Sequence, residues 1–202
     1  MPGGRLTLIA GAGVVLLDDM TTSYGTYNKP LVINADSESE GDGTLTVMPT
    51  KTISSHKGDV TITAWDIDLM GALTAGTKAM TIHVAKAGQS VGVGGTARDM
   101  HISSAELQRI TSTGMTLGGD QSGTVTANGI TAASSNSIAS IFTILALLDD
   151  SHVRFASAAS TFNALAAQAD NGIKVQQNVA TTLGAIGLDG DIDNGLDTLD
   201  TV

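Results

Sequence analysis

The sequence predicts an all-β fold, a parallel β-helix (β-solenoid) of about ten coils with at most one short helical turn, on three observations. The first is alternation. Between Gly58 and Gly95 apolar residues recur at every second position, at Val60, Ile62 and Ala64, then Trp65, Ile67 and Leu69, and after a glycine-rich bend at Met80, Ile82 and Val84. A period of two marks strands with one buried face. The second is recurrence, since the starts at Val60, Met80 and Met100 fall 20 residues apart. Stacked coils produce such a return, because each coil buries its apolar edge only against its neighbours. The third is composition: 24 glycines and 3% aromatics, with Thr, Ser and Ala abundant, suit narrow coils with tight corners.

Taken in order, the first coil runs through Leu6, Leu8 and Ala10, with Val14 to Leu17 as its second strand, and Tyr24 to Pro30 forms a loop. A second coil opens at Leu31, Ile33 and Ala35, is interrupted by the acidic insertion Asp36 to Gly43, and resumes at Leu45 and Val47. After the central stretch comes a coil through Met100 and Ile102. Leu107 and Ile110 then stand at helical spacing, so a helical turn at a corner is expected there. Alternation returns at Met115, Leu117 and Val125, with glycines marking the bends.

The run Ser137 to Leu148 is apolar enough for a buried helix. Ile141, Phe142, Thr143 and Ile144 are β-branched or aromatic, which favours strand. The segment Thr161 to Asp170 is ambiguous in the same way, because its alanines raise helix propensity. Two last strands pass through Ile173 and Val175, then Leu183, Ile186 and Leu188. At about 4.8 Å per coil the rod would be on the order of 50 Å long. All of 1–202 reads as one solenoid module, with about 1–12 and 189–202 as junctions to neighbouring copies.

Charge and residue inventory bound the function. Twenty acidic against ten basic residues give a net charge of −10, which opposes nucleic acid and anionic membranes and favours cations as small partners. Without cysteine there is no disulfide or thiolate chemistry. The apolar run near Met1 is short, glycine-interrupted and ends in Asp18 and Asp19, so it is neither a signal peptide nor a membrane span. Any export signal is expected outside these residues.

One stretch carries a family likeness. The pattern D-x-x-I-S-x-x-E-L-x-R-I-T-x-x-G-x-T-L-G-G is formed by Asp99, Ile102, Ser103, Glu106, Leu107, Arg109, Ile110, Thr111, Gly114, Thr116, Leu117, Gly118 and Gly119. With GDGTLTV, VTITAWDIDLMGALTAG, GTVTANGIT and STFNALAAQADNGIKV it resembles the tandem-repeat modules of giant filamentous-haemagglutinin-like β-solenoid surface and fibre proteins. The likeness covers most of Leu31 to Asn194. It implies an extracellular fibre or adhesin scaffold with no catalytic residue to carry over.

Candidate sites follow from spacing. Asp189, Asp191 and Asp193 place carboxylates at alternate positions around a turn, which suits Ca²⁺, with Asp197 and Asp200 following. The glycine comes one position late for an EF-hand loop and the twelfth-position glutamate is missing, so a solvated acidic corner competes with the metal reading. In the insertion, Asp36, Glu38, Glu40 and Asp42 stand at alternate positions that could form a cation-binding edge, and a solvated, self-repelling loop is the first reading. Asp66 and Asp68 should share an outward face, as a polysaccharide-active β-helix enzyme would need, but no second carboxylate pair stands 20 residues on. The chain is therefore expected not to be an enzyme and to need no cofactor.

His83 and His101 occupy similar positions in successive coils and would stack, while His56 and His152 are dispersed. Trp65 is expected in the core or lining a groove. Thr61, Thr63, Thr81, Thr124 and Thr126 stand at outward positions, for which β-propensity, hydroxyl ladders and O-linked glycans compete as explanations; no N-x-S/T sequon exists. The expected function is a structural subunit of an extracellular filament. Leu6, Leu8 and Ala10 at one end would meet Ile192, Leu196 and Leu199 of another copy, head to tail. The alternatives are an adhesin stalk and, behind it, the β-helix enzyme.

Overall fold

In the computed structural model residues 6–22, 29–193 and 195 are described. Strands hold 49% of the described residues and helix 4%, so the fold is all-β. Every strand pair among the described residues is parallel. The largest sheet has eight strands in chain order: Leu6–Ile9, Leu31–Asn34, Val60–Ala64, Met80–Val84, Met115–Gly119, Ile141–Ala146, Ala164–Ala169 and Ile186–Asp189. Between visits to it the chain lays strands into smaller parallel sheets. One of these contains Met100–Ile102, Gln89–Gly94, Ser122–Asn128, Val153–Phe155 and Ile173–Val175.

Register turns the period-two pattern into columns. Leu6, Leu31, Val60, Met80, Met115, Phe142, Leu165 and Ile186 follow one another as rungs, and two positions on run Leu8, Ile33, Ile62, Ile82, Leu117, Ile144, Ala167 and Leu188. All but the end rungs are at most 1% exposed. Burial of each such aliphatic side chain is worth about 1.5–3 kcal/mol, so these columns are the main source of cohesion. Phe142 meets Phe162 of a neighbouring sheet with ring centroids 5.5 Å apart and tilted by 59°. Corners close where a side chain would not fit: at Gly58 a Cβ would run into the Lys29 carbonyl.

The alternation at 60–69 and 80–84 forms strands as expected, and Val60 pairs with Met80. Met100 does not continue that column. The partner of Met80 on the far side is Met115, 35 positions on, whereas Met100 pairs with Val91 in the second sheet. This coil spends its extra length on an added pass through Met100–Ile102, lying beside Asp66–Leu69. Among the described residues the main sheet thus has eight passes against the ten expected, about 34 Å at ~4.8 Å per strand.

The expected corner helix is Ser104–Leu107, started by a capping box in which Ser103 accepts from the Glu106 N–H and Glu106 accepts from the Ser103 N–H. A second turn, Ala132–Ser135, exceeds the one expected; the Thr131 hydroxyl caps it by accepting from the Ser134 N–H. Both ambiguous segments are strand, Ile141–Ala146 and Ala164–Ala169. In the latter, half the alanines fill the interior, so packing overrides helix propensity. Trp65 stands half-buried at a corner, its ring over Gly41. No helix among the described residues is long and apolar enough to cross a membrane.

Candidate functional site

Among the described residues the inward columns end uncovered. Ile186 and Leu188, the last rungs of the two columns, are 40% and 46% exposed. Val175, last rung of the column Val93, Ala127, Phe155, is 52% exposed. At the opposite end Leu6, Leu8, Val14, Leu16 and Met20 pack half-buried on the core. The outward positions there are apolar too: Ile9, Val15 and Leu17 are exposed, where later coils carry Asn34 and Thr63, or Thr46 and Asp68. Among the described residues Leu6–Ile9 pairs only with Leu31–Asn34, and Ile186–Asp189 only with Ala164–Ala169. Each end therefore offers a free strand edge beside exposed apolar side chains.

Of the expected contact residues, Leu6 and Leu8 occupy this surface. The Ala10 backbone is already used, its N–H donating to the Asn34 carbonyl at 2.8 Å and its carbonyl accepting from Ser37 at 2.9 Å. By strand alternation the free edge there belongs to Thr7 and Ile9. Ile192 is half-buried and its N–H donates to the Ala169 carbonyl at 3.2 Å. Leu196 and Leu199 lie outside the described residues, as do Asp197 and Asp200. Among the described residues at that end, Ile186, Leu188 and Val175 carry exposed apolar surface, and the alternating spacing of Ile186 and Leu188 is visible in the sequence.

The acidic candidates behave differently from one another. Asp189, Asp191 and Asp193 are exposed, and the Asp193 carboxylate accepts from the Gly195 N–H at 2.7 Å. Among the described residues no three His, Asp or Glu side chains converge as a metal site. In the insertion, Glu38, Glu40 and Asp42 are solvated, but Asp36 is buried, its carboxylate accepting from the Gly41 N–H at 3.0 Å. That residue holds the loop shut. Asp170 has a matching place after its strand and accepts from the Asp150 N–H at 2.8 Å; burial pushes its pKa up, with Asp193 and Asp149 adding to the push.

Asp66 and Asp68 leave the same strand, but only Asp68 is exposed. Asp66 accepts from the His101 N–H at 2.9 Å, and burial, then the charge of Glu106, raises its pKa. Both Glu106 oxygens are engaged, by the Leu69 N–H at 3.0 Å and the Ser103 N–H at 2.8 Å, while Arg109 donates to the Leu69 carbonyl at 2.9 Å. These groups fasten the added pass to the stack. His83 and His101 do not stack, because the added pass moves His101 to the second sheet, beside Gly92.

Sequence reasoning missed a cleft of about 340 Å³ lined by Thr63, His83, Asp120, Gln121 and Leu145. In its wall Gly118, at φ +97, pairs with Leu145, and a Cβ there would run into the Leu145 carbonyl. The His83 Nδ1 lies 3.0 Å from the Gly118 carbonyl. The Gly118-Gly119 pair is the sequence signal for it. On the same sheet Thr61, Thr81, Thr116 and Thr143 stand in register as a half-buried ladder. Thr126 points outward but is buried.

The fold and ends define an all-β protein of stacked parallel strands with apolar terminal rungs. In comparisons with known proteins the chain matches no family model, no curated protein and no solved structure.

Proposed function

We propose that the chain is a β-solenoid module that stacks head to tail with further copies into an extracellular filament. The observation that carries this reading is the pair of uncovered ends: both inward columns stop at exposed Ile186 and Leu188, and begin at Leu6 and Leu8 beside a free strand edge. A next copy continues the ladder with Leu6 over Ile186 and Leu8 over Leu188, satisfying backbone groups and covering apolar surface in one step. The contact is heterologous and does not close, so it propagates as a fibre. The resemblance of Asp99 to Gly119 to haemagglutinin-type modules is the ground for placing it at the cell surface. O-linked glycans on surface serines and threonines belong to the same reading, and intact mass against sequence mass tests them.

Electron microscopy of the purified protein at near-physiological salt tests stacking. The expected result is unbranched filaments that Leu188→Asp abolishes; monodisperse short rods from the native chain overturn the reading. A denaturing gel of the same material separates stacked subunits from the second reading, a covalently continuous adhesin stalk, to which the same ladder continuity applies.

A further inference from the structure

One face of the second sheet carries charge opposite in sign to the chain as a whole. Gly92, Thr126, Arg154 and Lys174 are successive outward rungs there. The turn after Gly94 folds back over the first rung: a Cβ at Gly92 would strike the Thr96 carbonyl and lie 3.2 Å from Arg98 Cγ, and Asn128 Nδ2 donates to Thr96 Oγ1 at 2.9 Å. Three of the ten basic residues thus gather on one face of a chain whose net charge is −10.

Two polar groups on this face are buried without a partner. Thr126 is 3% exposed and its hydroxyl makes no hydrogen bond; Arg154 Nε is likewise enclosed and unpaired. A buried donor left unmade carries the full desolvation cost of that group. Neighbouring carboxylates are engaged elsewhere. Asp99 accepts from the Ser90 N–H and hydroxyl at 3.0 and 2.7 Å, and Asp150 accepts from Asn171 Nδ2 at 3.2 Å. The field reaches His152, whose pKa is pushed down by burial and then by Lys174, with Arg154 acting in the same sense and Asp150 against it.

We propose that this face binds a divalent tetrahedral oxyanion, a sulfate or phosphate group, held by Thr126, Arg154 and Lys174 with Arg98 at the rim. Two cations without a carboxylate partner match two negative charges. Donors arriving from separate side chains suit a tetrahedral group better than a planar monocarboxylate, which a single guanidinium fork would satisfy. The site lies on the outward face of the sheet, with Lys174 on the sheet's terminal strand beside the uncovered Val175, so the assembly state of the sample is recorded alongside binding.

Equilibrium dialysis of the native chain against radiolabelled inorganic sulfate tests this. The expected result is saturable binding of one sulfate per chain, weakened at least tenfold in Arg154→Gln and severalfold in Lys174→Gln. Lys57→Gln, which removes the same charge elsewhere, should leave it unchanged. Acetate should compete at least tenfold less well than phosphate. Displacement by methyl phosphate would extend the site to ester-borne groups, and its failure would restrict it to the free ion, the site standing in both cases. Non-saturable uptake, or equal losses in Lys57→Gln and Arg154→Gln, overturns the proposal. Lys174→Gln alters only a half-buried side chain, so it keeps the test informative if Arg154→Gln fails to fold.

Discussion

The middle of the stack and its last coil are built from the same kinds of residue in the same register, yet they do different work. Phe142 and Leu165 are sealed by a coil on each side, whereas Ile186, next in their column, is 40% exposed. Chemistry does not separate these rungs; the number of neighbours does. In the middle, apolar content serves cohesion of the chain, and at the end it is left exposed, where the stacking proposal places another copy.

The sharpest way to break that comparison is to make equivalent cuts in both regions. Phe142→Ala removes a side chain that is 1% exposed and touches Phe162, so a loss of about 3–5 kcal/mol is expected in denaturant unfolding. Leu188→Asp should cost the isolated chain under about 1 kcal/mol and abolish filaments. If Leu188→Asp destabilises as much as Phe142→Ala, the end is not a free surface. Gly58→Ala is a third cut, at a corner of the middle: the added methyl meets the Lys29 carbonyl, and a loss of about 1–3 kcal/mol is expected, with filaments retained wherever the chain folds.

Much of this was legible in the sequence. Alternation at Val60 to Leu69 and Met80 to Val84 gave strands in the right register, and the β-branched run at Ile141 separated strand from helix. Coil length was harder to read. A 20-residue spacing places Met100 above Met80, but nothing local distinguishes a return to the first sheet from a second visit to another, since both bury the same alternating face. The end surface was legible only in part, Leu6 and Leu8 lying on it and Leu196 and Leu199 falling outside the described residues. Apolar residues near the chain terminus were weighed by position, while exposure depends on which strand is the last to pair, which among the described residues is Ile186–Asp189. The buried Asp36 and the paired Asp66 were invisible because spacing reports which face a carboxylate leaves from, not what the next coil places over it.

A smaller effect sharpens the comparison at the corners. Ser103 and Glu106 cap the helical turn that fastens the added pass, so Ser103→Ala is expected to cost about 1 kcal/mol by loss of the cap. The loss should fall on the middle of the stack and leave filament formation intact, as measured by unfolding and microscopy on the same sample. Weakened stacking at unchanged stability would mean that the corner communicates with the ends.

The smallest expected effect concerns pH and has a definite sign. Burial raises the pKa of Asp66 above its ordinary 3.8, so the folded chain binds that proton more tightly than the unfolded chain does. Its contribution is therefore fully present below the unfolded value and is lost as pH rises through the folded one. Asp66→Asn keeps an oxygen to accept from the His101 N–H and carries no charge to desolvate. Relative to the native chain the variant should gain stability as pH climbs from about 4 toward neutrality, and the gain should level off once Asp66 is ionised in both states. Asp170, raised for the same reason, continues to titrate in the variant, so the pH dependence is reduced but not abolished. Parallel unfolding curves at pH 4 and pH 7 decide it: a stability difference between the two chains that stays constant with pH would mean that Asp66 is better solvated at this corner than its burial implies.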